Sequence, residues 1–252
     1  MEIKKTRLLD IDISQITLDE TIYAITGFLG EKRTAPALIN NVNVHAFFLS
    51  FSNDVFRKVL NHSDIVFCDG FGVKLAAKIL RVDIGERMTP PDWIDRLFEE
   101  CAINGFSIYF LGDEEPVGKR FVDCVQQRHP KLRIVGYHHG FFDKSGKSNR
   151  QLVETINASG THLLVTGMGM PIQEIWAAEN QAYLGVNAVL ATGALFRWYV
   201  GEEKRGPRMM TDNGFEWLWR FFVQPRKVWK RYVVELPYFF GVVIAKWAKS
   251  WF

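Results

Sequence analysis

The feature that most narrows the fold of this chain is a repeated alternation between short apolar runs and longer amphipathic segments. Residues 37–42, 65–68, 106–111, 132–137, 162–166 and 187–191 are apolar runs, most of them bounded by glycine, asparagine or aspartate. Runs this short between turn residues read as strands, and a further strand is expected from Arg7 to Ile13. Helical periodicity covers Thr17–Leu29, Val44–Leu60, Phe71–Ile79, Pro116–Arg128, Asn149–Asn157 and Ile172–Gln181, and Pro90-Pro91-Asp92 marks another helix start. Strands that alternate with helices form parallel sheets, because each connection must return the chain across a face. The expectation is an α/β fold whose mostly parallel sheet carries helices on both faces.

At 252 residues, 48% of them apolar and 23% charged, the chain can bury one large core and is not globally disordered. Cys68, Cys101 and Cys124 lie in apolar segments without paired spacing, as the reduced core thiols of a cytoplasmic protein do. The opening residues, MEIKKTRLLDIDIS, lack the apolar stretch of a signal peptide, and no run is long enough for a spanning helix. Charge divides the chain. Residues 202–252 hold ten Lys or Arg against five Asp or Glu, and five of the eight tryptophans, so they carry +5 and the rest carries −2. This predicts a core over residues 1–200 and a basic, aromatic, helical appendage over 201–252, entered through Gly201–Thr211. Phe215–Phe222 and Gln224–Tyr232 interleave cations with large aromatics, and Leu236–Trp251 adds a short apolar run with Lys246 and Lys249 on either side of Trp247. Such a segment suits an anionic membrane surface, where rings lie at headgroup depth and arginines meet phosphates. Nucleic acid would leave its apolar excess unexplained, so none is expected as a partner.

Open α/β sheets bind ligands beyond the carboxyl ends of their strands, so the residues there matter most. Asn41 and Asn43, Asp69-Gly70, Gly112, Gly167-Met168-Gly169 and Thr192-Gly193 occupy such ends. Small residues leave room for a ligand against the backbone, and neighbouring helix N-termini favour an anionic group such as a diphosphate. Asp69 is the carboxylate of this set, in an Asp-Gly pair that turn chemistry alone also explains. The Gly167-x-Gly169 turn has no third glycine and no acid suitably placed about 20 residues on. It supports a nicotinamide dinucleotide poorly, and a sugar nucleotide needs no such acid. Two other constellations carry less. Asp10-Ile11-Asp12 has the form of a metal-binding DxD, but one polar face of an edge strand explains it. His138-His139, as neighbours on a strand, would point to opposite faces. Zinc-type spacing, GxSxG and a P-loop are absent.

In their order and spacing these features resemble one family over nearly the whole chain. Asn43, Asp69-Gly70 with Gly72, Glu86-Arg87, Gly140-Phe141-Phe142 and Gly167-x-Gly169-x-Pro171-x-Gln173-Glu174 follow the pattern of the WecG/TagA/CpsF glycosyltransferases, glycosyltransferase family 26. So do Gly193-Ala194, Arg205-x-Pro207, Glu216-Trp217-Leu218-x-Arg220 and Pro225-Arg226. The resemblance implies a Rossmann-like core, a membrane-associating C-terminal appendage and an inverting enzyme that needs no metal or other cofactor. It implies transfer of a hexose-type sugar from a UDP-sugar to a polyprenyl-diphosphate-linked sugar in cell-surface polysaccharide synthesis. The protein would lie peripherally on the cytoplasmic face of the plasma membrane. By the same likeness Asp69 is the catalytic base. Asn41, Asn43, Arg87, Gly112, Gly167, Gly169 and Gln173 serve the donor, and Arg208, Arg220, Arg226 and Arg231 hold the acceptor diphosphate. Two residues depart from the pattern: Asn41 where many members have threonine, and Arg197 where many have aspartate. Both bear on sugar or acceptor contacts, which sets a glucosyl donor beside an N-acetylmannosaminyl one.

Without a metal, charge developing on UDP requires cations and backbone N–H groups. The Gly167–Pro171 turn and the tail arginines are the expected sources. A rival reading is a non-catalytic sugar-nucleotide-binding subunit of a polysaccharide assembly complex, which would tolerate loss of Asp69. A dehydrogenase would instead bind NAD. A homo-oligomer is compatible with the sequence, which does not set the oligomeric state.

Overall fold

A computed structural model describes residues 3–203, 206 and 216–249. The chain opens with an antiparallel hairpin, β1 (Lys5–Leu8) and β2 (Ile11–Ser14). This corrects the single strand expected from Arg7 to Ile13: Leu9 adopts a φ of 54° and the chain reverses at Leu9-Asp10. In α1 (Leu18–Gly30) the Thr17 hydroxyl accepts the Glu20 N–H while the Glu20 carboxylate accepts the Thr17 N–H, a closed capping box. Then come β3 (Ala37–Val42), α2 (Val44–Ser50), α3 (Asp54–His62), β4 (Ile65–Cys68), α4 (Phe71–Leu80) and α5 (Pro90–Ile103). The second half runs β5 (Ser107–Gly112), α6 (Glu115–Arg128), β6 (Arg133–His138), α7 (Gly146–Ala158), β7 (Leu163–Gly167), α8 (Ile172–Asn180), β8 (Ala188–Ala191) and a short α9 (Leu195–Tyr199). The tail holds α10 (Glu216–Val223), α11 (Pro225–Lys230), a π-helical turn (Arg231–Glu235) and α12 (Leu236–Lys249).

β3 to β8 form one sheet in the order β4-β3-β8-β7-β5-β6, and every neighbouring pair is parallel. Successive residues of a strand feed opposite layers. Ile39, Phe67, Phe110, Val165 and Leu190 face the layer of α1, α5, α6 and α9. Val42, Val66, Leu111, Leu164 and Val189 face the layer of α2, α3, α4, α7 and α8. Because both faces of the central strands are covered, those strands are mostly apolar and read as continuous runs, while the edge strand β6 is only partly buried. The hairpin shields the edge strand β4, where the Val66 N–H donates to Ser14 Oγ at 3.1 Å.

The last helix is built into this core. Phe239 and Val243 of α12 are fully buried among residues of α2, α3 and α4, with the Phe239 ring centre 5.2 Å from that of Phe47. Just before α12, Glu235 Oε2 lies 2.8 Å from Nδ1 of His45 in α2. The outward side of the same stretch exposes Val233, Tyr238, Ile244 and Trp247, with Lys246 and Lys249 beside them. Composition changes near residue 201, but packing makes α12 a wall of the second core. Among the described residues, no helix is long and apolar enough to cross a membrane.

The two sides of α12 should therefore respond differently to truncation. Phe239→Ala is expected to cost about 3–5 kcal/mol in urea unfolding. Ile244→Ala, on the exposed side of the same helix, should cost no more than about 1 kcal/mol. Equal effects would mean that α12 is not held by its buried side.

Candidate active site

β4 ends at Cys68, and the Asp69 N–H carries the ladder one residue further by donating to Val42 O at 2.8 Å. Gly70 follows with a φ of 130°, a conformation side chains rarely adopt, and turns the chain directly into α4. Asp69 is thereby left half-buried at the lip of the sheet. Asn43 is its neighbour across β3, its Cβ 3.8 Å from where a Cβ on Gly70 would stand. The segment after α4 returns to the same place. The Met88 N–H donates to Cys68 O, and Arg87 forms an isolated bridge with Cys68, which sets Arg87 alongside the end of β4. Its guanidinium donates to Thr89 Oγ1 at 3.1 Å and lies 4.4 Å from the centre of the Phe71 ring. The buried Cys68 thiol registers the local charges. Burial pushes it up to about 12, the Asp69 carboxylate adds to that, and Lys74 and Arg87 oppose it. One carboxylate and two cations thus share the end of β4. Glu86 is elsewhere engaged, accepting the Leu18 N–H at the start of α1 at 2.9 Å.

Further along the sheet, adjacent strand ends are drawn together. A Cβ on Gly112 would stand 2.5 Å from Gly167 O, so only glycine lets β5 and β7 finish this close. Beyond β7, the fully buried Gln173 reaches back from the first turn of α8. Its Oε1 accepts the N–H groups of Met168, Gly169 and Gly193, each at 3.2 Å, while its Nε2 donates to Glu174 Oε1 at 2.8 Å. Asn41 does a similar job between β3 and β8: buried, it donates from Nδ2 to Ala191 O at 2.9 Å. Asn43 caps α2 by accepting the Ala46 N–H at 3.1 Å. Of the residues expected on the donor side, Asn43, Arg87, Gly112, Gly167 and Gly169 lie along the carboxyl edge. Asn41 and Gln173 are turned into the protein and hold that edge from within. The turn is expected to offer N–H groups to the departing diphosphate; in the structure those of Met168 and Gly169 donate to Gln173 Oε1.

Arg197 lies on α9, a helix of five residues whose brevity hid it from periodicity. Its Nη2 donates to Asp113 Oδ1 at 2.7 Å, and Glu114 and Glu202 each approach within 3.4 Å. Burial disfavours its charge, but Asp113, Glu114 and Glu202 outweigh that and hold its pKa above the usual arginine value. Asp113 is the partner that sequence reasoning missed; its signal was its place directly after the strand-end Gly112.

Asp10 and Asp12 are separated from these strand ends. Asp12 pairs with Arg7 at 2.9 Å, and Asp10 lies 3.7 Å from Arg57 and beside Ser50, at the opposite end of α2 from Asn43. His138 and His139 do not diverge as expected. β6 stops at His138, the pleat ends there, and the two rings stack with centres 4.5 Å apart. Among the described residues, no group of three or more His, Cys, Asp or Glu is arranged to hold a metal ion. In the tail, Arg226 is exposed. His45 is held below the usual histidine range by burial and then by the charge of Arg231, which sets Arg231 near the first turn of α2. Arg208 and the side chain of Arg220 lie outside the described residues.

Known proteins with this pattern are recognisable across the whole chain. A model of the glycosyl transferase WecG/TagA/CpsF family matches residues 6–251. A relative from Bacillus spizizenii strain W23 is 23% identical over 244 residues, covering 97% of this chain and 91% of the relative. One from Bacillus subtilis strain 168 is 26% identical over 203 residues, covering 80% of this chain and 76% of the relative. Both bear the name N-acetylglucosaminyldiphosphoundecaprenol N-acetyl-beta-D-mannosaminyltransferase.

The Gln173 clasp carries a titratable partner. Glu174 is fully buried, and desolvation pushes its carboxyl up to about 7 against the Gln173 hydrogen bond. A carboxyl raised on folding contributes stability while protonated, in full below its unfolded pKa, and loses that contribution as pH rises through the folded pKa. Between about pH 5 and pH 8 the native chain should lose stability relative to Glu174→Gln. Urea midpoints across that range measure the difference; parallel profiles would show that Glu174 does not titrate there.

Proposed function

The chain belongs to the WecG/TagA/CpsF glycosyl transferase family, and from that premise we propose that it moves a hexose-type sugar from a UDP-sugar to a polyprenyl-diphosphate-linked sugar, with inversion and without a metal. The observation that carries this reading is the end of β4. Asp69 stands there half-buried beside Asn43 and next to helices that hold the tail, and the Cys68 thiol before it feels the charges of Asp69, Lys74 and Arg87 together. The names of the two Bacillus relatives specify a lipid-diphosphate acceptor, and the exposed apolar and basic side of α12 suits an enzyme that meets such a lipid at a membrane surface. On this reading the protein works peripherally at the cytoplasmic face, in the synthesis of an exported polysaccharide. The donor sugar is glucose or N-acetylmannosamine in type.

The proposed step is a single displacement. The acceptor hydroxyl oxygen bonds to the anomeric carbon as the bond from that carbon to the β-phosphate oxygen breaks, and the bonding pair leaves with UDP. The hydroxyl proton passes to Asp69. A carboxylate of ordinary acidity is too weak a base to ionise a sugar hydroxyl beforehand, so proton transfer accompanies bond formation. Charge on departing UDP must be met by preorganised donors and cations. With two N–H groups of the Gly167–Pro171 turn committed to Gln173, Arg87 and the tail arginines carry more of that task.

Two measurements test the proposal. Asp69→Asn should lower transfer by about 10²- to 10⁴-fold while leaving UDP binding intact; near-normal turnover would remove Asp69 from the base role. Transfer should also persist in excess chelator. A loss restored by Mn²⁺ would overturn metal independence.

A further inference from the structure

One amide oxygen, that of Gln173, accepts three backbone N–H groups drawn from two different turns. Met168 and Gly169 belong to the turn between β7 and α8, and Gly193 belongs to the turn between β8 and α9. The two turns close adjacent parallel strands, so this oxygen fixes their relative position. The other end of the amide determines whether it can do so. If the amide were rotated by half a turn, its NH₂ would face three N–H donors and its oxygen would face the Glu174 carboxyl. The NH₂ would then oppose three N–H donors, so the network admits one orientation. Glu174 takes up the other end of the amide: it is fully buried, accepts the Gln173 N–H at 2.8 Å, and its second oxygen, Oε2, has no partner in the structure. A buried carboxyl with an unsatisfied oxygen costs stability. A helix built for packing alone would have an apolar residue there.

We propose that Glu174 is a positioning residue of the donor site, accepting the Gln173 amide N–H so that the Gln173 oxygen can hold the β7–α8 and β8–α9 turns together where the donor binds. The inference rests on the reading that the crevice at these strand ends takes a UDP-sugar. Glu174 meets no substrate in this scheme and acts through Gln173 alone. Its requirement is an acceptor atom and not a charge, which separates it from a general acid or base.

Three forms of the full-length chain test this: native, Glu174→Gln and Glu174→Met. Glutamine keeps an acceptor oxygen for the Gln173 N–H, whereas methionine keeps the bulk and removes it. Glu174→Gln should retain the native KM for donor. Glu174→Met should raise it on the order of tenfold to a hundredfold, with a smaller change in kcat, as expected when a loop is misplaced and the reacting groups are untouched. A native donor KM in Glu174→Met, or equal impairment of both variants, would overturn the proposal. Amide hydrogen exchange gives a readout independent of turnover. The Met168, Gly169 and Gly193 amides should be protected together in the native chain and in Glu174→Gln; independent exchange of the three in the native chain would refute the clasp even if Glu174→Met fails to fold. Should the native chain bind no UDP-sugar, the donor reading fails, while the exchange data still judge the clasp.

Discussion

A parallel strand can follow another only if the chain is carried back across the sheet between them, and in this protein each return is made by at least one helix. All six strands therefore finish on the same side. The apolar residues that make the strands are spent on two buried layers, and polar chemistry is left to the few residues beyond each strand. Asp69 and Asn43 stand together for that reason, as do Asp113 and the Gly167–Gly169 turn, each pair following adjacent strands of the sheet.

Strand ends gathered in this way need to be held, because the ladder that orders the strands stops where the turns begin. Two buried amides continue it with side-chain atoms. Asn41 reaches from β3 to the end of β8, and Gln173 reaches from α8 to the turns after β7 and β8. A third link is ionic, with Arg197 joining the segment after β8 to Asp113 after β5. Where many relatives by resemblance carry an acid, this chain carries Arg197 amid three acids, so the local charge is balanced by a pair built within the protein. Most of the polar residues at this edge of the sheet are thus partnered within the protein.

Much of this was legible before any coordinates. The periodicities separated strands from helices at nearly every element, and the strand-end positions of Asp69, Asn43 and Gly112 followed from them. The hairpin was not legible, since its reversal rests on Leu9 in a left-handed conformation with no glycine or asparagine to signal it. The stacked rings of His138 and His139 depend on the exact residue at which β6 ends, and boundaries are what periodicity fixes least well. Gln173 is placed at the donor by resemblance alone and Asn41 also by its strand-end position, and neither signal could show that packing buries both side chains against the turns. In the tail, the many aromatics drew attention to a membrane, while the two buried positions one helical turn apart, Phe239 and Val243, were too sparse a pattern to reveal a helix seated in the core.

That seating has a consequence for how the protein is made. α12 packs against α2, which begins next to Asn43, and against α4, which begins next to Asp69. It also follows every strand of the sheet in chain order. The sheet and its first layer can assemble during synthesis, because every strand lies upstream. The second layer cannot close until α12 has been made and is free to dock. The chain therefore completes this layer later than its sheet, and a nascent chain that has not yet released α12 presents the end of β4 without the helix that packs across α2 and α4.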